Sequence, residues 1–348
     1  MKTKLIALFT LIFLAASPFT SADSDPRSTD SPFGALVFLP WNHDYNNYHY
    51  PNERSIKKAI RMIREAGIKM VRLEINWFDV EPSPEVFDFQ KHDFIIDELM
   101  KHDIKVLGLL QYNARWAPTK WNDPPDQELF TRYVKKTVQR YRDRVMYWEV
   151  WNEPDNAIYW TRQDQMRSYT ELLKAVYPAI KETDPTAQVL MGASNIYPVL
   201  SLKKIYENGG KDFFDIVNSH PFQNPKNPRA IELLHGTYKG IRKTMEKYGD
   251  SAKEVWITEI GCPGVKTPDS SNAWWEGTSP TEDEQAEWVR KIYTETLQWE
   301  GLTKVFWAFF RDTNHFHNGI DYFGLISRDF FPKPAYKTYQ KLSESLKT

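Results

Sequence analysis

Eight short apolar runs, separated by segments of helical periodicity, limit what this chain can fold into. They cover 33–41, 69–77, 105–112, 145–151, 188–194, 213–220, 254–261 and 304–311. Most are continuously apolar, as strands covered on both faces must be. Between them the spacing changes to that of amphipathic helices. In 55–66, Ile56, Ala59, Ile60 and Ile63 fall on one helical face, and Phe94, Ile95, Leu99 and Met100 do the same further on. Segments 126–142, 162–182, 229–248 and 282–300 continue the pattern, and 334–346 closes the chain. Thr281 and Glu284, just past Pro280, form a capping-box signature that starts a helix. Strands alternating with helices, with no linker, composition break or repeat, imply one (β/α)8 TIM barrel, an α/β fold occupying 33–348. The alternative, an open doubly wound sheet for a nucleotide, calls for a glycine-rich turn after its first strand. Residues 38–43 read Phe-Leu-Pro-Trp-Asn-His instead.

The first residues follow a different pattern. Lys2 and Lys4 precede an apolar stretch from Leu5 to Ala16, and small residues Thr20, Ser21 and Ala22 follow. That is the layout of a secretory signal peptide, 1–22, cut after Ala22. The apolar stretch is shorter than the roughly 20 residues a spanning helix needs. Residues 23–32 form a polar, flexible leader. The expected location is therefore secreted or periplasmic, with no membrane attachment after cleavage. The sole cysteine, Cys262, permits no internal disulfide and reads as a small buried apolar residue. With 45 basic and 46 acidic residues, the charge balance gives no support to nucleic-acid binding.

Catalytic groups of a barrel sit at the C-terminal ends of its strands. The fourth run ends Trp148-Glu149-Val150-Trp151-Asn152-Glu153-Pro154-Asp155, where Pro154 must stop the strand. The seventh reads Val255-Trp256-Ile257-Thr258-Glu259-Ile260-Gly261. Glu153 and Glu259 thus place two carboxylates at strand ends in otherwise apolar surroundings, which costs free energy unless each has a purpose. Paired carboxylates across a cleft suit glycoside hydrolysis: one protonates the departing oxygen, and the other supports an oxocarbenium-like carbon.

Residues 151–155, together with Trp-Ile-Thr-Glu-Ile-Gly at 256–261, resemble the clan A retaining glycoside hydrolases. The Asn-Glu-Pro-Asp form, with Trp77, Val80-Glu81-Pro82 and Phe87-Asp88-Phe89, is most similar to family 39, the β-xylosidase and exopolysaccharide glycosidase type. The resemblance runs from about Phe33 to Tyr336. It implies Glu153 as acid/base and Glu259 as nucleophile. It further implies Asn152 at the sugar 2-hydroxyl, Arg72 beside the nucleophile, and Trp307 as the floor of the sugar subsite. His220 is similar to the His of a His-x-Tyr pattern, but Phe222 stands at the Tyr position, so either another Tyr supplies the hydroxyl that would meet the nucleophile or Glu259 is held without it. The carboxyl groups are expected about 5–5.5 Å apart, as retention requires.

Aromatic residues crowd the loops: Tyr112, Trp116 and Trp121 after the third strand, Tyr159 and Trp160 after the fourth, Trp274 and Trp275 after the seventh. They point to an extended cleft and endo action on an oligo- or polysaccharide. An exo-acting β-xylosidase-like enzyme, a transglycosidase or a non-catalytic sugar-binding barrel are the competing readings. No metal or cofactor is expected, and the chain is expected to be a monomer.

Overall fold

The computed structural model describes residues 31–268 and 277–345. Eight parallel strands form one sheet: β1 (Phe33–Val37), β2 (Met70–Asn76), β3 (Lys105–Gln111), β4 (Tyr147–Val150), β5 (Gln188–Met191), β6 (Val217–Ser219), β7 (Val255–Ile260) and β8 (Leu302–Trp307). Their order is β5-β4-β3-β2-β1-β8-β7-β6, and bridges from Leu190 to Ile216 and from Ser194 to Ser219 join the two edges. The sheet is therefore closed on itself, as the alternation in the sequence requires. The barrel belongs to the compact unit Pro32–Thr348. The signal-like segment and nearly all of the leader lie outside the described residues.

Helices α1 (Glu53–Glu65), α3 (Gln90–Met100), α4 (Gln127–Tyr141), α5 (Gln165–Thr183), α7 (Ala230–Lys247) and α8 (Glu282–Thr296) follow β1, β2, β3, β4, β6 and β7, and α9 (Pro334–Ser345) ends the described chain. Their starts are written in the sequence. Asn52 accepts from the Ser55 N–H, Asp126 from the Leu129 N–H, and Thr281 and Glu284 make the expected capping box. Two helices were not foreseen: the single turn α2 (Trp77–Val80) and α6 (Pro198–Glu207). The apolar stripe of α6, Leu202, Ile205 and Tyr206, is too short to stand out as a periodicity. Strands β1 and β8 also end earlier than their apolar runs, because 38–41 and 308–311 leave the sheet to build the barrel mouth.

Period-two alternation decides what faces inward. Met70, Leu107, Leu190, Ile216, Trp256 and Phe306 form a separate apolar cluster within the barrel. Above Met70 on the same face of β2 come Arg72, Glu74 and Asn76, so the interior turns from apolar to polar along the strand. The outward phase, Val71, Leu73 and Ile75, joins the large core under the helices. The polar end of the interior is the C-terminal mouth, where the candidate residues meet.

Candidate active site

Glu153 reaches the mouth through an unusual backbone. Trp151 (φ 70°) and Glu153 (φ 44°) both adopt the left-handed region, as does Tyr112 (φ 59°) at the end of β3. Such residues persist only where their surroundings hold them. Trp151 is fully buried and donates its indole N–H to the Tyr159 carbonyl at 2.9 Å. Asp155 accepts the backbone N–H groups of Asn195, Ile196 and Tyr197 at 3.0, 3.0 and 2.9 Å, and the Ser201 hydroxyl at 3.2 Å. The Asn-Glu-Pro-Asp turn is thereby clamped to the loop after β5.

That clamp brings Asn195 to the carboxyl. Asn195 Nδ2 donates to Glu153 Oε1 at 3.1 Å, and Asn156 Nδ2 donates to Oε2 at 3.2 Å. His220 Nδ1 lies 2.8 Å from the same Oε1, while its Nε2 is 2.9 Å from the Thr258 hydroxyl. Burial pushes the Glu153 carboxyl up to about 7 against the pull of these amides and of Arg72. Burial also lowers His220 to about 4, so the imidazole is neutral at pH 7.

Glu259 needs a bulge to arrive at the same place. Trp256 points into the barrel, so strict alternation would turn Glu259 away. The β7–β8 register slips here, with Ile257 opposite Val305 and Ile260 opposite Trp307. Three steps on β7 therefore match two on β8, and the extra residue swings Glu259 into the mouth. Arg72 Nη1 meets Glu259 Oε1 at 2.6 Å, and His220 Nδ1 lies 3.8 Å from that oxygen. Burial raises the Glu259 carboxyl, while His220 and Arg72 act in the other direction. Among the described residues no tyrosine hydroxyl bonds to Glu259. The guanidinium takes that place, which fits the Phe222 departure.

Arg72 is almost wholly buried and is held from several sides. Its Nε and Nη2 grip Glu149 at 2.7 and 3.0 Å, and Nη2 also donates to Asn152 Oδ1 at 2.8 Å. Burial works against its charge, but Glu149 and Glu259 outweigh that and raise its pKa. Asn152 is thus fixed with its carbonyl on the arginine. Glu149 had no place in the sequence reading, because a glutamate inside WEVW looks like one more alternating strand residue. Glu74 was also missed: it lines the cavity, held by Trp41 Nε1 at 2.7 Å and Gln111 Nε2 at 3.2 Å.

Glu153, Glu259, Asn152 and Arg72 line a cavity of about 950 Å³, and His220 lies beneath them. One donor atom each from Glu153, His220 and Glu259 lies within 4.8 Å of the other two. Two carboxylates and an imidazole could ligate a divalent cation, but such an ion would have to displace or face the Arg72 guanidinium on Glu259. The donor set is better matched to proton transfer.

Trp307 does not have its expected place. Phe306 points inward and stacks against Trp256 at 6.0 Å, so its neighbour Trp307 faces the opposite side. Trp307 is fully buried, donates its indole N–H to the Phe323 carbonyl at 2.9 Å and does not line the cavity. Phe309, two residues on, lines the cavity instead. Of the loop aromatics, Tyr112, Trp121 and Tyr159 line it too. Trp116 donates to the Glu81 carbonyl, and the buried Trp160 donates to the Ser168 hydroxyl; both brace loops. Trp274 and Trp275 lie outside the described residues. Cys262 is buried, and burial pushes its thiol far up.

Comparison with known proteins places this arrangement. Residues 44–121 match a family model described as β-galactosidase (glycoside hydrolase family 42). An endo-1,4-β-xylanase of Thermotoga neapolitana is 22% identical over 349 residues, 97% of each chain. An aryl-phospho-β-D-glucosidase of Bacillus subtilis is 28% identical over 145 residues, 38% of this chain and 30% of that protein. The chain therefore spans about a third of that relative's length. Among solved structures, a family 39 glycoside hydrolase of Bacteroides cellulosilyticus superposes with a TM-score of 0.71 at 24% identity, covering 91% of this chain and 64% of that one. A monomeric β-xylosidase of Caulobacter crescentus gives 0.69 at 18%, covering 90% and 67%. The chain has the (β/α)8 fold of the clan A glycoside hydrolases, and the family 39 enzymes are among the barrels it resembles.

Proposed function

We propose that this chain is a retaining glycoside hydrolase working by double displacement, with Glu259 as nucleophile and Glu153 as acid/base. The observation that carries the reading is the contrast between a buried carboxyl, Glu153, and a largely buried one, Glu259, less than 4.8 Å apart at their nearest oxygens. Glu259 shares its Oε1 with a cation at 2.6 Å. Glu153 has only neutral partners and is pushed up to about 7. Unlike environments of this kind separate a charged carboxylate from a protonated one. The short separation supports retention, since an inverting enzyme spaces its carboxyls more widely to admit a water.

In the first step Glu259 attacks the anomeric carbon while Glu153 gives its proton to the leaving oxygen. In the second, Glu153 takes a proton from water, which displaces Glu259 and frees the sugar with its original anomeric configuration. His220, neutral and anchored on Thr258, holds Glu153 by Oε1 through both protonation states. It accepts from the acid when Thr258 accepts from Nε2, and donates to the base when Thr258 donates. Asn152, its carbonyl fixed on Arg72, turns its amide N–H toward the sugar 2-hydroxyl.

The substrate we propose is an oligo- or polysaccharide cleaved internally, supported by the aromatic wall of Tyr112, Trp121, Tyr159 and Phe309. Exo action predicts monosaccharide as the first product, and endo action a ladder of oligomers. The relatives named as xylanase, xylosidase and phosphoglucosidase favour β-linked substrates. Secretion or periplasmic location, following from residues 1–22, and a monomeric state complete the proposal. No helix among the described residues is long and apolar enough to cross a membrane. Proton NMR of the newly released anomer during hydrolysis tests the mechanism: retention agrees with it, and inversion rejects it.

A further inference from the structure

The loop leaving β3 carries two cations that the proposed reaction does not use. Arg115 and Lys120 both line the cavity and are exposed at its rim. Among the described residues neither forms an ion pair with a carboxylate. The contrast with Arg72, the other guanidinium of the cavity, is sharp, since that one is closed off by Glu149, Glu259 and Asn152. The nearby carboxylates are committed elsewhere. Asp79 meets His43 Nε2 at 2.9 Å, and Glu74 accepts from Trp41 and Gln111. Asp123 accepts from the backbone N–H of Lys120 at 3.0 Å and from the Thr161 hydroxyl, which shapes the loop and leaves the ammonium free.

Arg115 is also held in place. Its guanidinium carbon lies 5.9 Å from the ring centre of Tyr45 and 5.8 Å from that of Phe78, and both rings line the same cavity. Flanking rings limit where a long side chain can swing, and the Tyr45 hydroxyl, hydrogen-bonded to the guanidinium, occupies only part of its five-donor fork. The cost of ordering that side chain is thus partly met before any ligand arrives.

We propose that Arg115 and Lys120 form a subsite for an anionic sugar substituent, the carboxylate of a uronic acid, on a unit flanking the one cleaved. The proposal rests on the glycosidase reading above and names the substrate class for it. A planar carboxylate takes two parallel N–H···O bonds from one guanidinium, and Lys120 adds a point charge. The unit is a flanking one because Arg115 and Lys120 touch none of Glu153, Glu259, Asn152 or Arg72. Those four surround the scissile bond in buried or largely buried positions, whereas the two cations stand exposed at the rim. A neutral chain would leave both cations solvated, so the subsite adds affinity only for charged chains.

The test has a binding arm and a kinetic arm, both on the whole chain. In affinity gel electrophoresis, Glu259→Gln protein is run through polygalacturonate, glucuronoxylan, their carboxyl-reduced forms, and a sulfated glucan. The expected result is retardation by a uronate glycan, lost on carboxyl reduction and weakened about ten-fold or more when Arg115→Ala and Lys120→Ala are added. Arg115→Lys should recover part of it. In the kinetic arm the same double substitution in active protein raises KM for the charged chain, leaves kcat in place and leaves neutral chains unaffected. Failure of every uronate glycan to retard the protein overturns the subsite. So does equal retardation after carboxyl reduction or after the double substitution. Stronger retardation by the sulfated glucan overturns the carboxylate assignment. Failure of the glycosidase reading has a different signature: no hydrolysis of any glycan by the unsubstituted protein, whatever the gels show.

Discussion

Glu153→Gln should make this protein more stable at alkaline pH and no more stable at acid pH. Glu153 is almost wholly buried, and burial raises its pKa from 4.5 to about 7. The folded-state value therefore lies above the unfolded one. Below pH 4.5 the carboxyl is protonated in both states and makes no difference. As pH rises towards 7 the unfolded chain ionises first, and stability is lost. Above 7 the penalty is complete, at about 3 kcal/mol. Glutamine keeps the shape and never ionises, so it removes this penalty. It also turns an amide N–H towards a donor, because Asn195 and His220 occupy Oε1 and Asn156 occupies Oε2. A reorientation of Asn156 restores that contact at a cost of about 1 kcal/mol. The net gain above pH 8 is then about 2 kcal/mol, or roughly 3–6 °C in Tm for a domain of this size. Thermal melts of both proteins by circular dichroism, at intervals from pH 4 to 8.5, measure it. Curves that stay parallel over the whole range, or a variant less stable at pH 8.5, would refute the account of a buried, uncompensated acid.

Other expectations follow from the same contacts. Arg72→Met leaves Glu149 and Glu259 buried without their cation and should cost about 3–5 kcal/mol by urea denaturation; an unchanged midpoint would show that the ion pairs are not formed. The alkaline limb of kcat/KM should fall near pH 7, since the acid must be protonated. With a dinitrophenyl glycoside, whose leaving group needs no proton, Glu153→Gln should retain the first step and lose that limb, while a poor leaving group should show a drop of roughly 10²–10⁴. Asp155→Asn turns an amide N–H toward the donors of the 195–197 loop and should lower kcat and also Tm, by the roughly 1–3 kcal/mol of one buried unsatisfied donor, seen by kinetics beside melts; equal effects on an activated and an unactivated substrate would argue against a role through Asn195 and Glu153.

The barrel was legible because eight apolar runs alternate with seven helical stripes, broken only between the fifth and sixth runs, where α6 carries too short a stripe to show. Glu153 stood out through Pro154, which ends the strand, and Glu259 through its apolar neighbours. What the sequence concealed depends on pairing across the sheet. Glu149 meets Arg72 across 77 positions, and only the β2–β3–β4 register brings them together. Asn195 reaches Glu153 because Asp155 binds backbone groups, which carry no residue signature. Trp307 misled because strand phase, and not strand position, decides which aromatic faces the cavity. Phe306 takes the inward phase, and Phe309 reaches the cavity only after the chain has left β8. The same limit applies to Trp116 and Trp160, whose ring nitrogens brace loops. Glu259 shows the opposite case: simple alternation would have turned it away, and a one-residue slip against β8 restores it.

The central claim is that Glu259 bonds to the anomeric carbon. Incubation with a panel of 2-deoxy-2-fluoro glycosides bearing activated leaving groups, then mass spectrometry of the protein and its peptides, tests it most directly. The account predicts a mass increase of one fluoro-sugar, carried by the peptide containing Glu259 and absent in Glu259→Gln. A sugar found on any other residue, or turnover of the activated glycosides at full rate by Glu259→Gln, would contradict it.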